Sequence, residues 1–253
     1  MNDVPKPPVA AEVSPVPGAR PSGWRRVWRL ARILAVAYLG VLLLMVIFEN
    51  SLIYFPSVYP DGYWSPHGLD FEDAWFEAAD GTKLHGWHVA RENPRAVVLI
   101  AHGNAGNVSD RADLLADLVQ RLGASALIFD YRGYGRSDGT PSEQGILADA
   151  RAARRWLADK ADVPESQIVL MGESLGGGVM VDLAAKDGAR GLVLENTFNR
   201  ISDVAAFHYP WLPVRLLMRT RLDSESKIGA FHGPLLQVHG DADRIVPLAL
   251  AKR

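Results

Sequence analysis

The chain has no cysteine, which excludes disulfides, thiolate metal sites and a cysteine nucleophile. Oxidising and reducing compartments both suit such a chain, so the absence does not place it. An excess of charge of one sign is also missing. Lys and Arg number 27 against 29 Asp and Glu, a net charge of −2, and nothing in that balance points to nucleic acid. No internal repeat of fixed period divides the 253 residues, enough for one large domain or two small ones. There is no Gly-Lys-Ser/Thr to support a phosphate cradle. Finally, charge is absent from Ile33 to Phe48, and that gap is the first positive signal.

Sixteen apolar residues cover about 24 Å of a hydrocarbon core near 30 Å. Starting at Val27, with Arg29 and Arg32 reaching back to the headgroups, lengthens the span to about 33 Å. A cleaved signal peptide would need a small-residue site after the run, but Val46-Ile47-Phe48-Glu49-Asn50 follows. A buried soluble helix would show a polar face, and this run has none. The expectation is a single membrane anchor over 27–48, preceded by a proline-rich disordered tail over 1–26. Six Lys and Arg precede the charge-free run at Ile33 and none lies between Phe48 and Thr82, so the tail should face the cytoplasm. Residues 49–72, with Tyr54, Phe55, Tyr59, Tyr63 and Trp64, read either as an aromatic interfacial collar or as part of the domain core.

From residue 73 the pattern changes. Ala74–Ala78 and Lys83–Ala90 flank Asp80-Gly81, a strong hairpin signal because the turn requires positive φ. Strands are then expected at 96–101, 124–130, 168–171, 192–195 and 235–239. Helices are expected between them at 110–122, 143–160 and 179–186, with a last one from Leu248 to Arg253. Such alternation predicts an α/β fold with a mostly parallel sheet covered on both faces. Ligand sites on such sheets lie at the carboxyl ends of the strands.

Three of those ends carry the candidate chemistry. The strand ending at Met171 runs into Gly172-Glu173-Ser174-Leu175-Gly176. Gly-x-Ser-x-Gly alone is a weak signal, but between a strand and a helix it has the context of a nucleophile elbow, with Ser174 as nucleophile. The loop His102-Gly103-Asn104-Ala105-Gly106 could turn backbone N–H groups toward that serine. Asn104, with Ala105 as the alternative, and Leu175 are the expected oxyanion donors, and His102 is read as structural. In His239-Gly240-Asp241-Ala242-Asp243, Asp243 is the expected acid that fixes a histidine tautomer, and Asp241 the expected turn support. Asp130-Tyr131-Arg132-Gly133-Tyr134-Gly135-Arg136 reads as a structural loop with an internal ion pair.

Together these four motifs resemble the α/β-hydrolase superfamily. More narrowly, the chain is similar to a membrane-anchored branch in which the anchor is followed by Asn-x-Leu-Ile-x-x-Pro, here Asn50 to Pro56. The resemblance covers roughly 33–253 and implies a hydrolase domain over 73–253. It implies a serine hydrolase acting on esters or thioesters, and less readily amides, of an acyl-containing small molecule, a lipid or an acylated protein. No metal or organic cofactor is implied. Residues 196–232 correspond to a cap, rich in Phe207, Tyr209, Trp211, Leu212 and Leu216, that would line an acyl pocket or simply pack on the sheet. Arg215, Arg219 and Arg221 are expected to face solvent.

One element of the family pattern has no match. Its histidine follows the acid by some tens of residues, and all seven histidines here precede Asp243. With Arg253 ten residues past Asp243, the expectation is a truncated, inactive form of an active enzyme. The alternative is a disabled hydrolase acting as a membrane-bound binding or scaffold protein, and His208 or His232 are the remaining substitute bases. Truncation would leave the strand at 235–239 as an open edge, with inefficient folding expected.

Overall fold

The computed structural model describes residues 23–252; the expected tail over 1–26 lies outside the described residues up to residue 22, and its last four residues, 23–26, are helical instead. The charge-free run up to Ile47 lies in one unbroken helix, α1 (Gly23–Ile47), with no buried residue. Its 25 residues make about 37 Å, long enough to cross a bilayer.

Met45 onward forms a second compact unit. It opens with α2 (Glu49–Ile53) and β1 (Phe55–Pro56). The hairpin follows as β2 (Glu72–Glu77) and β3 (Lys83–Val89). Gly81 stands at φ 82° in its turn, and the Asp80 carboxylate accepts from Thr82 N at 3.1 Å. Then come β4 (Val97–Ala101), β5 (Ala105–Gly106), α3 (Ala112–Gln120) and β6 (Ser125–Phe129). The chain continues with α4 (Glu143–Ala161), β7 (Ile168–Glu173), α5 (Leu175–Asp187) and β8 (Gly191–Glu195). The cap region supplies α6 (Ile201–His208) and α7 (Val214–Leu217), before β9 (Leu235–Val238) and α8 (Leu248–Ala251).

Seven strands form one sheet in the order β2-β3-β6-β4-β7-β8-β9. The two β3 pairings are antiparallel and the rest parallel, so the α/β-hydrolase architecture expected from the sequence is what the chain adopts. The central strands β4 and β6 are buried at every residue, which is why they read as continuous apolar runs. β9 lies at the edge, with Leu235, Leu236 and Val238 exposed.

The aromatic segment divides residue by residue. Tyr54 is buried in the core, Trp64 packs on Trp87, and Phe55, Tyr59 and Tyr63 stay exposed.

Charge is organised across elements rather than within loops. The expected internal pair of the Asp130 loop is not formed. Arg132 instead bonds Asp149 of α4 at 2.8 Å and Asp80 of the hairpin turn at 2.8 Å. Asp130 accepts from Val108 N at 2.9 Å and lies 3.3 Å from His85 Nδ1. A local sequence supplies both signs of charge but not the neighbour that the sheet brings alongside.

Asp182, buried on α5, is bracketed by Arg151 at 3.0 Å and by Lys186 and Lys227 at 2.9 Å. Burial would raise its pKa, but hydrogen bonds from Lys227, Lys186 and Arg151 outweigh that and lower it to about 2. A carboxylate lowered in the folded state stabilises above its unfolded pKa, and that contribution fades as pH falls from about 5 toward 2. Asp182→Asn should therefore cost about 2 kcal/mol at neutral pH. Melting in detergent across this acid range should show the wild-type advantage shrinking; a constant offset at all pH values would refute the assignment.

Candidate functional site

The strand β7 ends in a turn that only its glycines permit. A Cβ on Gly172 would overlap the Gly176 carbonyl, and one on Gly176 would overlap the carbonyl of Ala101 at the end of β4. These approaches force Ser174 to φ 50°, ψ −110°, a conformation costing a non-glycine residue about 1–3 kcal/mol. Its backbone is held on both sides: the N–H donates to Glu195 O at 2.9 Å, and the carbonyl accepts from Thr197 Oγ1 at 2.9 Å. Helix α5 begins at Leu175, four residues earlier than the apolar pattern suggests. Gly177 N bonds the Ser174 carbonyl at 3.0 Å, while the N–H groups of Leu175 and Gly176 have no helical carbonyl to bond, and the helix dipole favours negative charge there.

The loop after β4 lies against this turn, because Gly176 touches both Ala101 and His102. His102 is buried, its Nδ1 2.7 Å from Gly103 O, and burial lowers its pKa. It serves the loop, as the sequence reading has it. Asn104 is held through its side chain: Nδ2 donates to Ile53 O, and Oδ1 accepts from Tyr134 Oη at 2.9 Å and Phe55 N at 3.3 Å. Ala105 and Gly106 pair with Phe55 and Pro56 of β1. The segment that follows α1 thus braces the loop carrying the expected oxyanion donor.

A residue pair that sequence reasoning missed closes the other side. Arg111 Nε donates to Glu173 Oε2 at 2.8 Å, immediately before Ser174, and Glu173 Oε1 lies against Gly103. The two partners are 62 residues apart. Only Glu173's place within Gly-x-Ser-x-Gly could have drawn attention to it, and nothing local marked Arg111.

Asp243 sits in the loop after β9, two strands from β7 along the same carboxyl edge. The loops after β8 and β9 are tied by Asn196 N to Val238 O at 3.0 Å and Gly240 N to Asn196 Oδ1 at 2.9 Å. Asp243 Oδ1 accepts from Ile245 N at 2.8 Å and Val246 N at 2.9 Å. It therefore makes the turn-supporting bonds expected of Asp241. Oδ2 lies 3.7 Å from His239 Nε2, and that ring nitrogen is 2.7 Å from Val246 O.

Among the described residues no histidine bonds to Ser174. His208 Nε2 is 2.8 Å from Ile245 O, and His232 precedes β9 at its opposite, amino end. The cap arginines Arg215, Arg219 and Arg221 are exposed, as expected, and two of them are also paired. Arg215 pairs with Asp203 at 2.6 Å and Arg219 with Glu49 at 3.1 Å.

An edge that gathers a strained serine, a helix N-terminus, a glycine loop and a fixed carboxylate can stabilise an oxyanion formed at that serine. Known proteins share the sequence and the fold. A family model described as "Serine aminopeptidase, S33" matches residues 92–224. The uncharacterised protein Rv2307c of Mycobacterium tuberculosis is 42% identical over 223 residues, 87% of this chain and 79% of that protein. The uncharacterised membrane protein YNL320W of Saccharomyces cerevisiae is 35% identical over 185 residues, 71% of this chain and 65% of that protein. Among solved structures, the Pyrococcus furiosus esterase Pf2001 superposes with a TM-score of 0.62 at 19% identity, covering 79% of this chain and 81% of the esterase. With matches of this extent, the chain belongs to the α/β-hydrolase superfamily, in the family that the S33 model describes.

Proposed function

We propose that this protein is a membrane-anchored serine hydrolase that cleaves an ester or thioester through an acyl-enzyme on Ser174. The observation that carries this reading is the positive-φ turn at Ser174, packed through Gly176 against the loop after β4. Strain of this kind persists only where the surroundings over-determine it. In the proposed reaction Ser174 Oγ attacks the acyl carbonyl. The backbone N–H groups of Leu175 and Asn104 hold the oxyanion, and water later releases the acyl group. The alcohol or thiol departs with the proton taken from Ser174, which needs a histidine base oriented by Asp243; no histidine among the described residues is so placed. The esterase-type structural neighbours support the reaction class, and the yeast relative's printed name supports the membrane setting. Helix α1 would hold the domain at the bilayer with the tail in the cytoplasm and the domain on the opposite side. The substrate is an acyl-containing small molecule, a lipid or an acylated protein.

One observation favours a second reading. None of the seven histidines reaches Ser174 among the described residues, so a membrane-bound binding or scaffold protein on a disabled hydrolase fold would show the same site. A fluorophosphonate probe separates the two. It is applied to residues 1–253 and to the same residues expressed with any coding sequence that follows. Labelling is expected only where a histidine joins Asp243, and an acyl ester should compete for it. If both forms are folded and neither labels, the hydrolase reading fails and the binding reading stands.

A further inference from the structure

A second cleft shares no lining residue with the loops around Ser174, though the Ile53 carbonyl in its wall accepts from Asn104 Nδ2. This apolar cleft is walled by Met45 and Val46 of the last turn of α1, Leu52 and Ile53 of α2, and Leu212 and Leu217 of the cap. None of its lining residues belongs to the loops at 102–107, 173–175 or 239–246. Its one charged lining residue is Glu49, and that carboxylate is already used. Oε1 accepts from Arg219 N at 2.8 Å and Thr220 N at 2.7 Å, and Oε2 accepts from Arg219 Nε at 3.1 Å. Burial works against the charge, yet these donors outweigh it and hold the Glu49 pKa below its ordinary value. The cleft therefore presents mostly hydrocarbon to a ligand, with Glu49 already paired.

We propose that this cleft takes one acyl chain of a bilayer lipid, entering from the membrane beside the end of α1. This rests on the membrane-anchored reading of α1 and not on catalysis by Ser174. A helix that spans the bilayer puts its last turn at the interface, and that turn supplies two walls of the cleft. Around the cap walls, Phe207, Tyr209 and Leu216 are exposed to more than half of their surface, as residues seated at a membrane interface are. Of the basic groups nearby, Arg215 is paired with Asp203 and Arg219 with Glu49, so the apolar walls select for the chain rather than the headgroup. Moving hydrocarbon from lipid into the cleft gains nothing from water exclusion. Occupancy comes from filling a void with dispersion contacts and from the abundance of lipid.

The test uses the full chain in phosphatidylcholine nanodiscs carrying a diazirine either near the acyl terminus or on the headgroup. Photolysis with the terminal label should place adducts on peptides spanning 45–53 and 205–218, and the headgroup label should leave the cleft walls unmodified. Ala205→Trp, which fills the cleft, should lose the terminal adducts while a headgroup charge change leaves them unaltered. If that variant misfolds, the contrast between the two labels on the wild-type chain decides alone. Adducts spread along exposed α1 without enrichment at the cleft, or identical patterns from both labels, overturn the proposal. A chain that leaves membranes in a carbonate wash overturns it together with the membrane-anchored reading. A chain that stays embedded yet gains no cleft adduct overturns the lipid site alone.

Discussion

An alanine at Ser174 is expected to abolish fluorophosphonate labelling in every form of the protein that labels, and to leave its thermal midpoint unchanged. Removing the nucleophile of a serine hydrolase costs on the order of 10⁶ in turnover, which takes labelling below detection. Stability should not follow, because alanine keeps the Cβ and both backbone bonds, from Ser174 N to Glu195 O and from Thr197 Oγ1 to Ser174 O. The strained φ of 50° also stays, since alanine tolerates it no better than serine. Glycine at the same position separates the two effects further. It releases about 1–3 kcal/mol of strain and loses up to about 1 kcal/mol in chain entropy. Ser174→Gly should therefore be unlabelled and more stable by about 1 kcal/mol. Labelling that survives in the alanine variant would move the nucleophile elsewhere, and a glycine variant that melts below wild type would refute the strain.

The sheet was readable from the sequence because buried parallel strands announce themselves. Val97–Ala101 and Ser125–Phe129 are apolar almost throughout and buried at every residue, so their pattern and their environment agree. The elbow was readable because its glycines are required by backbone approach at Gly172 and Gly176. What could not be read was which distant group each charge would meet. Arg132 has Asp130 two positions away yet pairs with Asp149 and Asp80, because the strand order carries its loop to α4 and to the hairpin turn. Arg111 finds Glu173 for the same reason. Read from the sequence, the turn-supporting role falls to Asp241 rather than Asp243. Only the loop conformation sends the backbone donors of Ile245 and Val246 to Asp243. Residues 49–72 resisted a single description because consecutive aromatics go to different places, Tyr54 inward and Phe55 outward.

Two glycines in the first turn of α5 should respond to alanine in opposite ways. At Gly176 the new Cβ would overlap the carbonyl of Ala101 and press on that of His102. Both are backbone atoms at the end of a fully buried central strand, so relief requires pulling α5 away from β4. Gly176→Ala should cost about 3 kcal/mol, a fall of about 10 °C in a domain of this size. At Gly178 the nearest atoms are the Leu222 Cβ at 3.3 Å and the Phe198 ring at 3.5 Å. Side chains can yield by tenths of an ångström, and alanine is worth up to about 1 kcal/mol over glycine inside a helix, so Gly178→Ala should be neutral or stabilising. The same displacement at Gly176 would carry the Leu175 N–H away from the Asn104 loop. Whatever fraction of Gly176→Ala remains folded should therefore label poorly, whereas Gly178→Ala should label as wild type does. Equal melting of the two variants would mean that β4 and α5 are not in backbone contact, and the oxyanion arrangement proposed for Leu175 and Asn104 would lose its support.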